Sequence, residues 1–181
     1  MIKTLVSSLF IFALLSTVSV HASPPYVKYV KQITSKYKKD VKKKHQLYCI
    51  GGGGGFFKDV EQVALFFAAY RKASIEEARE LGVSVVEPLL QKINEEEKLR
   101  PYLREYPFNC NGIHIAITFF QNNNRYETNG SITNISVANN KVYYEIYNYE
   151  TEKFETLLVE PYDKAREFAL SAKSEQDNNA N

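Results

Sequence analysis

Ile113-His114-Ile115-Ala116-Ile117-Thr118-Phe119 is the stretch on which the fold turns. Its branched and aromatic side chains fall on every second position, the period of a half-buried strand. Before it, apolar residues recur every three or four positions, the period of a helix. The chain therefore reads as helices first and sheet afterwards.

Downstream, the same alternation predicts strands over 131–138, 141–149 and 154–160. Asn139-Asn140 separates two of them, and asparagine tolerates the positive φ that a two-residue hairpin turn requires. Pro161 suits the first turn of a closing helix carrying Tyr162, Ala165, Phe168 and Ala169, and the polar residues 174–181 read as a disordered tail.

Upstream, Tyr26, Val30, Ile33, Tyr37 and Val41 define an amphipathic helix behind Pro24-Pro25, with lysines on its other face. Val60, Val63, Phe67 and Tyr70 keep a helical spacing and predict a central helix over 58–70. Ser74 and Glu77 form a capping-box pattern that starts a helix at Ile75, which runs to a bend at Pro88 and on to Ile93. Asn94 is expected to cap a last short helix through Glu95, Glu96 and Glu97 to Leu103. The five glycines Gly51–Gly55 read as a bend or hinge between helices. The expected class is α+β: N-terminal helices, a four-stranded antiparallel meander and a closing C-terminal helix. It is laid out as a basic helical arm over 23–48 and a single domain over 49–173.

The N-terminus carries an address. Lys3 supplies a positive start, Leu5 to Val20 is apolar, and Val20-His21-Ala22 fits the small-x-small rule, so a signal peptide over 1–22 is expected to be cut between Ala22 and Ser23. The apolar run is short for a membrane span, so no transmembrane segment is expected after cleavage, and the product belongs in a periplasm or outside the cell. In that compartment Cys49 and Cys110, the chain's two cysteines, are expected to form a disulfide. Charge is uneven. From Ser23 to Lys58 nine lysines face one aspartate, whereas from Asp59 onward twenty carboxylates outnumber thirteen cations. Such a split implies either an arm for anionic partners or an arm folded back on its own acidic body.

No local motif assigns a catalytic residue. A phosphate loop needs Lys and a hydroxyl residue directly after its last glycine, and here Phe56-Phe57 intervenes. His45 and His114 are far apart, so neither a metal site nor a cofactor is expected. Glu95, Glu96 and Glu97 are explained by the positive end of a helix dipole, and neither a G-x-S-x-G elbow nor an H-E-x-x-H helix occurs.

Two features point to binding. Lys36, Lys38, Lys39, Lys42, Lys43 and Lys44 make one helix face basic, fit for an anionic envelope component, with nucleic acid disfavoured by compartment. Tyr143, Tyr147 and Tyr149 share one face of a strand; if Val142, Tyr144 and Ile146 point inward, a tyrosine row is left as a contact surface, unless the closing helix covers it. The expected function is an exported, non-enzymatic binding module meeting an anionic envelope component or another envelope protein. Two alternatives stand beside it: an enzyme with a non-local site around Cys49, Gly51–Gly55 and His114, and an assembly partner using Phe66-Phe67.

Over 69–108 the segments YRKASIEEARELGV, LLQKIN and EKLRPYLREYPF resemble small exported bacterial proteins of uncharacterised function. The resemblance implies bacterial export and transfers no site residue.

Overall fold

The Ser74 capping box forms as the sequence dictates. Ser74 Oγ accepts from the Glu77 amide at 3.2 Å, and the Glu77 carboxylate accepts from the Ser74 amide at 2.8 Å, so two amides at the helix start are satisfied. In the computed structural model, which describes residues 24–128 and 130–179, the helix so opened spans Ile75–Glu95 and runs through Pro88 without a break. Asn94 does not cap a further helix. Its amide donates to the carbonyls of Leu90 (3.0 Å) and Phe108 (2.8 Å) and accepts from the Phe108 amide at 2.7 Å, which clamps the following loop. The helix expected over 95–103 shrinks to one 3-10 turn, Arg100–Tyr102, whose central Pro101 removes a backbone donor.

In chain order the elements are α1 (Pro25–His45), β1 (Tyr48–Gly55), β2 (Gln62–Ala69), α2 (Ile75–Glu95), β3 (Ile113–Phe119), β4 (Asn134–Ala138), β5 (Lys141–Asn148), β6 (Lys153–Pro161) and α3 (Tyr162–Asn179). The strands form one six-stranded sheet in sequence order, antiparallel throughout except for β2 and β3, which run parallel and are joined through α2. The α+β class holds, but the four-stranded antiparallel meander does not. The segment read as a helix over 58–70 is β2, and the glycines read as a hinge are the edge strand β1.

Both corrections have physical causes. β2 lies inside the sheet and is buried on both faces: Val63, Leu65, Phe67 and Ala69 point to the core while Ala64 and Ala68 are buried on the other side. Its apolar run is therefore continuous and lacks the alternation that marks a half-buried strand. In β1, a Cβ on Gly52 would lie 2.7 Å from the Ala64 carbonyl oxygen, and one on Gly54 would lie 2.1 Å from that of Gln62. Strand pairing at this closeness excludes a side chain at those two positions.

The helices share one face of the sheet. Tyr26, Val30, Ile33, Tyr37 and Val41 bury one side of α1, so the basic arm is an integral helix of the domain. Its packing is apolar: its single salt bridge among the described residues, Asp40 to Lys92 at 3.4 Å, uses its acid and none of its lysines. The hairpin turn forms with Asn139 at φ 52° and Asn140 at φ 57°. The backbone of α3 stays helical to Asn179, into the stretch read as a disordered tail. The signal peptide and its cut between Ala22 and Ser23 lie outside the described residues.

Candidate functional site

With every helix of the described residues on one side, strand alternation decides what the other side shows. On β5, Val142 and Tyr144 are buried toward the helices, so Tyr143 and Tyr147 emerge on the helix-free face, with Tyr149 following the strand's end. α3 packs on the opposite side and leaves the tyrosine row uncovered.

Cross-strand register extends that row across the whole sheet. Tyr147 pairs with Phe154 of β6, and the parallel pairing of Ala69 with Phe119 places Tyr70 and Phe120 side by side just beyond β2 and β3. Ring centroids then run from Tyr48 to Tyr70 (5.9 Å), to Phe120 (6.0 Å), to Tyr126 (5.3 Å), to Tyr147 (4.5 Å) and to Phe154 (5.2 Å). Tyr149 meets Tyr147 edge-on at 5.0 Å, and its hydroxyl donates to the Tyr126 carbonyl at 3.2 Å. Such tilted and edge-to-face contacts hold the rings against one another. Two cations flank the row: Lys42 Nζ lies 5.1 Å from the Tyr48 ring at one end, and the Arg125 guanidinium 4.7 Å from Tyr149 beside Tyr147.

Beside the rings runs a polar rail. Thr118 Oγ1 donates to Asn134 Oδ1 at 3.0 Å, and Asn134 Nδ2 donates to the Glu145 carboxylate at 2.7 Å. These three residues are mutually paired across β3, β4 and β5. The face thus offers fixed aromatic area next to ordered hydrogen-bonding groups.

Of the binding residues read from the sequence, Tyr147 and Tyr149 belong to the ring row; Tyr143 shares the face but sits apart, opposite Val159. Lys36, Lys39, Lys42, Lys43 and Lys44 are exposed and Lys38 half-buried on α1. Several of them crowd the last turn of α1, where cations favour the negative end of the helix dipole. Sequence reading missed Tyr48, Tyr70, Phe120, Tyr126 and Phe154. Parity within one strand cannot place residues of five different segments together, although Phe120 was detectable as an aromatic directly following the Ile113–Phe119 strand.

The alternative catalytic grouping does not assemble. Register aligns Gly53 with Ala64 and His114, and Cys49 with Phe67 and Ile117, so Cys49 and His114 sit on different rows and opposite faces of the sheet. His114 instead packs edge-on against Phe66 at 5.2 Å. The disulfide is also corrected, for both thiols are free: Cys49 is exposed on the sheet edge and Cys110 is buried beneath the helices. Burial, reinforced by the Asp163 and Glu87 carboxylates, pushes the Cys110 thiol up to about 12. As for the glycines, they form a strand and precede no helix, so they offer no phosphate cradle.

On the helical side, a cleft of about 690 Å³ lies between the end of α1, α2 and α3, with Lys44, Arg71 and Lys72 near Glu77 and Glu80 at its rim. There burial, with Lys44 and Arg71, pulls His45 below its ordinary value. Among the described residues no three His, Cys, Asp or Glu side chains converge on a metal position, and no helix is long and apolar enough to cross a membrane.

The chain matches no protein-family model, no curated protein and no solved structure. Its function must be read from this geometry.

Proposed function

We propose that the protein is exported and acts as a non-catalytic binding module whose partner docks on the helix-free face of the sheet. The observation that carries the reading is the unbroken row of rings from Tyr48 to Phe154, flanked by Lys42 at Tyr48 and Arg125 at Tyr149. Tyrosine-rich surfaces give large contact area at little entropic cost because their side chains have few rotors. Here the rings also restrain each other before a partner arrives. The occupant that fits is another envelope protein presenting an apolar patch fringed with carboxylates, which meet Lys42, Arg125 and Lys141. The other lysines of α1 play the lesser part of keeping the helical side soluble.

Export is supported by the Lys3, Leu5–Val20 and Ala22-Ser23 pattern, and intact-mass measurement of the protein recovered from its native cells is expected to show a chain beginning at Ser23. Docking is tested by a photo-crosslinking residue placed at Tyr70 or Tyr149, with Lys31 as the control on α1. The reading expects one shared adduct from the first two positions, none from the third, and loss of that adduct when Phe154 is changed to Ala. Adducts only from Lys31, or adducts indifferent to Phe154→Ala, would reject it.

A further inference from the structure

β1 is an edge strand: among the described residues no strand pairs with its outer side. Natural sheets guard such edges with charge, proline or a covering element. The other edge of this sheet is guarded: β6 carries Lys153, Glu155 and Glu160, and ends in Pro161. β1 is guarded only by an irregularity between Cys49 and Gly51; from Gly51 to Gly55 its register is regular, and the run from Leu47 to Phe57 holds no charged residue and no proline.

The glycines themselves separate into two kinds. Gly52 and Gly54 are required inside the molecule, because a Cβ there would strike the backbone of β2; Gly51 and Gly55 are tight, with Phe66 and Glu61 at 3.2 Å. Gly53, at the centre, is different. A Cβ on it would meet nothing within 4 Å, and its φ is not in the left-handed region. Nothing among the described residues requires a bare position there, although glycine in a strand costs stability. Exposed apolar side chains also stand at both ends of the run: Tyr48 and Ile50 before it, the latter 61 % exposed, and Phe57 after it, 89 % exposed.

We infer that β1 pairs antiparallel with β1 of a second copy of this chain, about a two-fold axis near Gly53. The strand is complementary to itself under that operation. The two glycine stretches face each other without charge repulsion, and the Tyr48 and Ile50 end of each strand meets the Phe56 and Phe57 end of the other. A two-fold contact of this kind closes, as most homodimers do, and each bare backbone supplies the hydrogen bonds the other lacks. Paired residues share a face, so the helix-free faces of the two copies join on one side of a twelve-stranded sheet. The inference stands independently of what binds that face.

Gly53 supplies the test, because it is the position where a side chain is tolerated inside the monomer. Sedimentation equilibrium of the purified protein is expected to show a concentration-dependent doubling of mass. Gly53→Lys and Gly53→Glu each place like charges across the axis and are expected to weaken dimerisation by at least about tenfold, while an equimolar mixture of the two restores it. A Cys49→Ser protein carrying Gly53→Cys is expected to oxidise to a covalent dimer, which keeps the test decisive if a charged variant folds poorly. A wild-type protein that stays monomeric at hundreds of micromolar would overturn the inference. So would a dimer that neither charge at position 53 disturbs.

Discussion

Arg79 on α2 and Glu160 on β6 form an ion pair in which the guanidinium Nε lies 2.7 Å from Glu160 Oε1, with side-chain exposures of only 15 % and 6 %. Tyr144 donates its hydroxyl to the same oxygen at 2.6 Å, and the guanidinium lies 5.2 Å from the Phe168 ring of α3. Helix, sheet and closing helix thus meet around one ion pair. Burial, reinforced by Glu160, holds the Tyr144 hydroxyl well above its usual range and so keeps it a donor.

Removing the carboxylate leaves a largely buried cation unpaired, and Glu160→Ala is expected to destabilise the fold by about 3 kcal/mol. Tyr144→Phe forfeits one hydrogen bond while the ion pair survives, at a cost of about 1 kcal/mol. Urea denaturation midpoints of the two variants give the comparison. An equal loss in both would show that Arg79 does not depend on Glu160.

Glycine substitutions along β1 are expected to divide by position. Gly54→Ala forces a Cβ against the Gln62 carbonyl and the Phe56 ring, which would lie 2.4 Å away, so it should lower stability by about 1–3 kcal/mol. Gly53→Ala enters open space and should change monomer stability by less than about 1 kcal/mol, in the stabilising direction, through loss of unfolded-state freedom. Thermal unfolding at low concentration, where association does not contribute, measures both.

Thiol chemistry checks the free cysteines. At pH 8 without reductant, iodoacetamide is expected to label the native protein once, at the exposed Cys49. The Cys110 thiol, pushed up to about 12 and buried, stays protonated below that pH and should label only after denaturation. Since the thiolate is the nucleophile, raising the pH toward 12 speeds its labelling. Mass spectrometry that finds neither cysteine labelled until reductant is added would restore the disulfide.

How much of this was legible in the sequence depended on whether one segment contained the signal. The Ser74-Glu77 cap, the alternation at Ile113–Phe119 and the Asn139-Asn140 turn are local, and each forms where the sequence places it. β2 was illegible because burial on both faces erases alternation, and Val60, Val63, Phe67 and Tyr70 also fit a helical spacing. β1 was misread because glycine looks flexible in isolation; only the Ala64 and Gln62 carbonyls of the neighbouring strand explain it. The ring row was half legible. Tyr147 and Tyr149 follow from strand parity, but their contacts with Tyr126 and Phe154 depend on a loop and a cross-strand pairing.

The central claim, that the helix-free face is the working surface, is tested most directly by hydroxyl-radical footprinting of the protein, free and mixed with envelope extract from its native cells. The free protein should be oxidised at Tyr70, Tyr149 and Phe154, and the mixture should protect those three while Phe168 on α3 stays reactive. Protection at Phe168 with the three unchanged would contradict the account.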